Sequence, residues 1–376
     1  MKILLAPDKF RGSLTARQVC DAMMEGIRLA APDADIVALP LADGGEGTAE
    51  VLTDATHGCW HTVPVLDPLG RAIQAGFGTS ADGKTAFIEM AQASGLRLLD
   101  PSEHNPLQTS TYGTGQLIQH AVALGVTHIV LGIGGSATND AGMGLAAALG
   151  WQFLDQNGQE LIPSGAALQQ IKQINPPTRS PLPDELTVSV ACDVTNPLYG
   201  LNGAAAIYGP QKGASPAMVA ELDKGLQQIA TLIQQQFGTD LAEVPGAGAA
   251  GGLGAGALFF LKAELKEGVR LVMDEVRFDQ HLAGTDLVLT GEGKTDRQTL
   301  QGKLLKGIAD RANAVGIPVV ALCGTLDLTP EEVIATGLTA AFSILSRPQP
   351  LTEALQNGYR DVQQATFHIC RLFLHR

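Results

Sequence analysis

Acids, lysines and glycine-rich turns recur along this chain where short apolar runs end. The densest such stretch is Leu131-Gly-Ile-Gly-Gly-Ser-Ala-Thr-Asn-Asp-Ala-Gly-Met-Gly144, set between the apolar run 128–131 and the Ala/Leu-rich run 145–149. That order predicts strand, glycine loop, helix. Gly132, Gly134 and Gly135 let the backbone turn tightly and approach a ligand. Ser136, Thr138, Asn139 and Asp140 offer side chains to cap the new helix. Free N–H groups and small hydroxyls at a helix N-terminus suit an anion, usually phosphate. The alternative is an ordinary tight turn.

Other clusters share this setting. Asp8-Lys9-Phe-Arg11 puts an acid and two bases after the run 3–6, and Asp43-Gly-Gly-Glu46-Gly47 places two carboxylates around three glycines. Asp193-Val-Thr-Asn196-Pro197 follows the run 187–192 with an acid and an amide, and Gln211-Lys212-Gly213 adds a cation in a glycine-flanked loop. Gly291-Glu-Gly293-Lys-Thr295 resembles the end of a phosphate loop. A Walker A pattern is nevertheless excluded, because Val288 stands where it needs glycine and no helix begins at once. As a loop of another type, Glu292 and Asp296 would reach a metal, and Lys294 and Lys303 a phosphate. Gly246, Gly248 and Gly251 fit G-x-G-x-x-G, but residues 241–245 make a poor strand, which argues against a dinucleotide site. The eight histidines show no zinc-like or triad-like spacing, and His128 and His281 read as structural.

The elements that must position these residues follow a βα rhythm at both chain ends. Strands are expected at 3–6 and 35–39, each followed by a helix, the first capped by Thr15. Residues 60–89 alternate with turn signals and read as mostly antiparallel strands. Helix 114–124, the strand and glycine loop, strand 187–192 and a long helix at 215–237 follow. An apolar helix is expected at 257–265. Strands at 286–290, 318–323 and 340–345, with helices at 299–315, 330–336 and 352–374, bring the parallel strands of the two ends to about five. The fold class expected is α/β with two domains. A doubly wound parallel-sheet domain is formed by residues 1–66 and 268–376, and residues 67–267 form an inserted α/β domain with a mixed sheet.

Composition bounds the function. The 376 residues are 45% apolar and 17% charged, enough for two domains with real cores. The net charge of −13 comes with no basic stripe, which excludes a nucleic-acid binder. The five scattered cysteines show no metal spacing, and no run nears the ~20 apolar residues of a membrane span. Asp8 and Lys9 interrupt any signal-peptide core. The expectation is a soluble cytoplasmic protein without a membrane partner.

Several blocks together resemble the bacterial glycerate kinase family. They are Ala6-Pro-Asp-Lys-Phe-Arg-Gly-Ser-Leu14, Pro40-Leu-Ala-Asp-Gly-Gly-Glu-Gly-Thr48, Phe87-Ile-Glu-Met-Ala91, Gly132-Ile-Gly-Gly-Ser-Ala-Thr-Asn-Asp140, Ala191-Cys-Asp-Val-Thr-Asn-Pro197 and Gly209-Pro-Gln-Lys-Gly213. Pro245-Gly-Ala-Gly-Ala-Ala-Gly-Gly252 and Gly291-Glu-Gly with Asp296, Gln298-Thr and Gly302-Lys303 complete the set in the family's order. Leu305 departs from the proline that relatives often carry. The resemblance implies ATP-dependent phosphorylation of D-glycerate, at the 2-hydroxyl, with Mg²⁺, by a monomer or homodimer. It implies that Gly134, Gly135, Ser136 and Thr138 hold phosphate oxygens and that Lys9 and Arg11 pair with the glycerate carboxylate or the moving phosphoryl group. It makes Asp193 the general base or a metal ligand, with Asp43 and Glu46 next in line. It gives Asp296 and Glu292 to Mg²⁺ and Lys303 to a nucleotide phosphate. The alternatives are a 3-kinase, a kinase for another small hydroxy acid, an NAD-dependent oxidoreductase resting on Gly246–Gly251, and a hinge-closing ligand-binding protein.

Overall fold

Lys2–Leu5 is apolar on both faces, as a strand inside a parallel sheet must be, and Ile3, Leu4 and Leu5 have no exposed surface. In the computed structural model, which describes residues 1–297 and 304–374, it lies in a five-stranded sheet. The strand order is Ala340–Ser343, Val319–Leu326, Leu287–Thr295, Lys2–Leu5, Asp35–Ala38, all parallel. One face, carrying Ile3, Leu5, Leu287, Leu289, Val320 and Leu322, packs with Val19, Met23 and Ile27 of helix Ala16–Ala30 and Val362 and Ile369 of helix Leu351–Leu374. Thr15 starts the first of these helices by accepting the Gln18 N–H, while Gln18 reaches back to the Thr15 N–H. The two helices cross so closely at Gly26 that a Cβ there would stand 2.4 Å from the Gln363 carbonyl oxygen.

The other unit is built on a six-stranded mixed sheet ordered Glu264–Lys266, Thr187–Ala191, His128–Gly132, Thr85–Glu89, Ala72–Thr79, Cys59–Leu66. The first four strands are parallel, Ala72–Thr79 runs against them, and Cys59–Leu66 pairs antiparallel with Ala72–Thr79. Its core gathers Phe77, Ile88, Leu117, Ile118, Ile129, Leu131, Val190 and Leu253. A second cluster forms under helix Pro216–Phe237, whose buried Leu222, Leu226, Ile229 and Ile233 fall at helical spacing. Ser215 caps that helix, Pro216 opens it and Gly238 ends it in the left-handed region.

The described chain divides into Met1–Asp43 with Val269–Arg376, and Gly44–Gly268. The first division falls before helix Thr48–Ala55, earlier than the expected 66, because that helix packs on the six-stranded sheet. Ala49 bonds Glu89, and a Cβ at Gly78 would overlap the Thr53 hydroxyl. The apolar helix expected at 257–265 falls instead within Ala249–Phe260, where it follows a left-handed kink at Ala250, Gly251 and Gly252, since Glu264–Lys266 pairs with Ser189–Ala191 as an edge strand. Strand Leu287–Thr295 extends through Gly291–Thr295, which therefore is not a loop: Gly291 pairs with Leu322 and Thr295 with Leu326. No strand occupies residues 241–245, so the G-x-G-x-x-G at Gly246 lacks the strand a dinucleotide fold needs.

Candidate active site

The loop 132–140 leaves the carboxyl end of strand His128–Gly132, the edge where open α/β sheets hold their ligands. Gly134 and Gly135 are exposed, and Gly135 takes φ +71°, a conformation that glycine adopts at no steric cost. Ser136 follows at 8% exposure. Leu96 N–H binds the Gly135 carbonyl and Ala137 N–H binds the Ser94 carbonyl, so the turn is tied down on both sides. Beyond it the chain dives inward. Thr138, Asn139 and Asp140 have no exposed surface, and the Thr138 hydroxyl and both Asn139 amide atoms have no hydrogen-bond partner among the described residues.

Asp140 is the residue that caps the following helix, Met143–Ala148. Its carboxylate accepts the N–H groups of Gly142 and Gly144 at 3.2 Å and both the N–H and hydroxyl of Thr111 at 2.8 Å. Thr111 in turn accepts the Leu145 N–H. Protein side chains thus take the donors expected to greet an anion at that helix end, which leaves the Gly134–Gly135 turn as the exposed donor surface. Lys212 lies beneath the loop rather than on it. It is 1% exposed and donates from Nζ to the Thr138 carbonyl oxygen at 2.6 Å. Burial pushes its pKa down to about 7 against the pull of Asp140. Burial also raises Asp140 above the ordinary carboxylate range against its four hydrogen bonds.

Strands Thr187–Ala191 and Thr85–Glu89 of the same sheet bring Asp193 and Glu89 to the same edge, and Glu46 lies in the turn before helix Thr48–Ala55. Glu46 ion-pairs with Arg97. Asp193 is exposed after strand Thr187–Ala191, and one of its oxygens accepts the Gly268 N–H at 2.7 Å. Asn196 is structurally engaged: its amide donates to the Asn202 carbonyl and accepts the Tyr208 hydroxyl at 2.6 Å. His128 bonds Thr187 and serves the sheet. Glu89, quoted only within a motif, ends strand Thr85–Glu89 as a buried acid beside Gly132. An acid closing an apolar run was the available signal.

In the five-stranded sheet the candidates again sit at strand carboxyl ends. Asp8 N–H binds the Gly291 carbonyl, and a Cβ at Gly293 would stand 3.0 Å from the Arg11 amide nitrogen, so the 8–11 loop lies along Gly291–Gly293. Phe10, buried at 3%, pins that loop, leaving Lys9 half-buried and Arg11 exposed. Asp8 is 8% exposed. Burial, then the Asp43 and Glu292 charges, lift its carboxyl to about 7, against the Lys9 N–H bond and ammonium. The structure thereby gathers Asp8, Lys9, Asp43 and Glu292; among them Asp8 was given no role in advance. Lys294 forms an ion pair with Asp296 at 2.9 Å on the strand extension. A cleft of about 500 Å³ opens beside Asp296, lined by Leu326, Asp327, Leu328 and Glu332 among others. Lys303 lies outside the described residues. Among the described residues no group of three or more His, Cys, Asp or Glu is arranged to hold a metal ion, and no helix is long and apolar enough to cross a membrane.

Comparison with known proteins agrees with these blocks. A protein of Halalkalibacterium halodurans named glycerate kinase is 46% identical over 98% of this chain and 97% of its own length. The glycerate 2-kinase of Escherichia coli K12 is 44% identical over 98% of this chain and 97% of its own. A crystal structure from Salmonella typhimurium LT2, glycerate kinase 2 by its provisional name, superposes with a TM-score of 0.91 at 42% identity, covering 100% of this chain and 98% of that one. The sequence pattern of the glycerate kinase family matches residues 3–374, and the chain belongs to that family.

Proposed function

We infer that this protein transfers a phosphoryl group from ATP to D-glycerate and that the acceptor is the 2-hydroxyl. The observation that carries this reading is the family match over residues 3–374, joined to 44% identity with a glycerate 2-kinase. The geometry supports it. Phosphoryl transfer needs positioning and charge stabilisation more than covalent chemistry. Exposed backbone N–H groups at Gly134 and Gly135, with Ser136, suit phosphate oxygens. Thr138, Asn139 and Lys212 act from beneath, and Asn196 holds the segment after Asp193.

Asp193 is assigned to take the proton from the acceptor hydroxyl, its exposed carboxylate steadied by the Gly268 N–H. Lys9 and Arg11 are assigned to anionic oxygens, Arg11 through a planar fork that suits carboxylate and phosphate alike. Asp43 and Glu46 are the other acids of this machinery. Mg²⁺ is commonly held by one or two carboxylates together with substrate phosphates, and it neutralises phosphoryl charge when bound. Glu292 fits such a role, because its charge already crowds Asp8 and a cation would relieve the repulsion. Asp296 fits less simply, since it is paired with Lys294. The cleft beside Asp296 has the size for a nucleoside, with Leu326 and Leu328 as apolar walls. The same reading makes the protein a cytoplasmic monomer or homodimer.

The test is ATP consumption with D-glycerate and Mg²⁺, coupled through enolase and pyruvate kinase. Signal without phosphoglycerate mutase is expected. Signal only after adding the mutase would move the acceptor to the 3-hydroxyl, and silence from folded protein in both assays would overturn the reading.

A further inference from the structure

Glu89 combines features that an ordinary strand-ending acid lacks. It is 4% exposed, and Oε1 accepts the Ala49 N–H at 2.9 Å. The nearby Gly47 N–H also favours the charged carboxylate, and through the Ala49 N–H Glu89 serves as the cap that helix Thr48–Ala55 lacks in its own sequence. The Thr48 hydroxyl, meanwhile, closes the turn on the Gly45 carbonyl at 2.6 Å. Glu89 pairs in register with Gly132, and Met90 N–H binds the Gly132 carbonyl. A Cβ on Gly132 would lie 3.4 Å from Glu89 Cγ and 3.8 Å from the Gly44 carbonyl oxygen. The 44–49 turn and the 132–135 turn therefore meet across this one side chain. Its second oxygen, Oε2, has no hydrogen-bond partner among the described residues. A buried acid with an unmatched oxygen is costly, and a fold that keeps one at the ligand edge gains something other than stability from it.

We propose that Glu89 is a positioning residue for the phosphoryl transfer inferred above: it clamps the 44–49 turn, and Glu46 within it, against the glycine loop 132–136. It touches no substrate in this role. Arg97 completes the arrangement from the other side by holding Glu46, so the turn is fixed through a buried acceptor and a surface ion pair. Removing the clamp frees the turn and loosens the wall of the glycine loop, while the sheet beneath keeps its hydrogen bonds.

The proposal rests on the glycerate kinase reading for its kinetic arm only. Hydrogen–deuterium exchange of wild type, Glu89→Ala and Glu89→Gln is measured alongside the coupled assay. In Glu89→Ala, exchange across residues 44–55 is expected to rise at least tenfold, with residues 216–237 unchanged. Its kcat is expected to fall tenfold or more, with KM for ATP within threefold. Glu89→Gln keeps an oxygen for the Ala49 N–H, and it is expected to recover wild-type exchange and most of kcat. Unchanged exchange at 44–55 in Glu89→Ala would overturn the clamp. Faster exchange with unchanged kcat would reduce Glu89 to a local structural part. Equal losses in both variants would show that charge, not the hydrogen-bond acceptor, matters and would likewise overturn it. Should Glu89→Ala not fold, recovery or loss in Glu89→Gln decides the matter. A silent assay in wild type would refute the substrate assignment and leave the exchange result to judge the clamp.

Discussion

Lys212 Nζ donates to the carbonyl oxygen of Thr138 at 2.6 Å, joining residues 74 apart in the chain beneath the glycine loop. The ammonium is almost fully buried, and its pKa falls to about 7 from 10.5. The unfolded chain keeps this proton to above pH 10, whereas the folded protein releases it near 7. Between those values the unfolded state binds more protons, so stability rises with pH. Denaturant unfolding of wild type against Lys212→Met is expected to show wild type gaining up to about 1.4 kcal/mol per pH unit between pH 7 and 9. A flat difference across that range would show that Lys212 is not desolvated as described. The same substitution leaves the Thr138 carbonyl without its donor, and kcat/KM is expected to fall about tenfold.

Asp8 behaves in the opposite sense. Its folded-state pKa, raised to about 7 by burial and by Asp43 and Glu292, exceeds the unfolded value, so its cost to folding grows as pH rises from about 4 and levels off above about 7. Asp8→Asn is expected to raise the melting temperature at pH 8 but not at pH 4, while lowering turnover at least tenfold. Stabilisation bought by losing activity is the signature of a strained functional site. A melting temperature unchanged at pH 8 would contradict the raised pKa, and full activity would remove Asp8 from the machinery.

Asp193→Asn separates chemistry from architecture. The amide oxygen still accepts the Gly268 N–H, so the melting temperature is expected within 2 °C of wild type, on the order of the surface-substitution range. Without a carboxylate to take the hydroxyl proton, kcat is expected to drop about 100-fold or more, in the range typical of general-base loss. Near-normal turnover would assign the proton to another group.

Gly26→Ala tests the packing that supports the five-stranded sheet. The added Cβ meets the Gln363 backbone oxygen at 2.4 Å and Thr366 Cβ at 2.9 Å, neither of which can swing aside. A loss of about 1–3 kcal/mol is expected in equilibrium unfolding. Neutrality would mean that helices Ala16–Ala30 and Leu351–Leu374 slide apart without cost.

Much of the fold is legible in neighbouring residues. The βα rhythm at both ends produced the five parallel strands, and Thr15 and Ser215 mark helix starts where the structure has them. The run 257–265 misled because apolar composition does not distinguish a buried helix from the edge strand Glu264–Lys266. Gly291–Thr295 looked like a loop for its glycines, yet a Cβ on Gly291 would strike the Leu322 carbonyl at 2.2 Å. Glycine there permits close strand pairing rather than a turn.

The amino-acid sequence by itself determined the family, the alternation of strands and helices, and which acids and glycines stand at strand ends. Each of these is written in residues a few positions apart, where periodicity, capping and turn chemistry act. Only the tertiary structure decided which polar groups are stripped of water. It buried Thr138, Asn139 and Lys212 under the loop, set Glu89 against Ala49, 40 residues away, and brought Asp43 and Glu292 close enough to hold the Asp8 proton. Desolvation and charge coupling depend on every element packed around a group, and those neighbours come from distant parts of the chain.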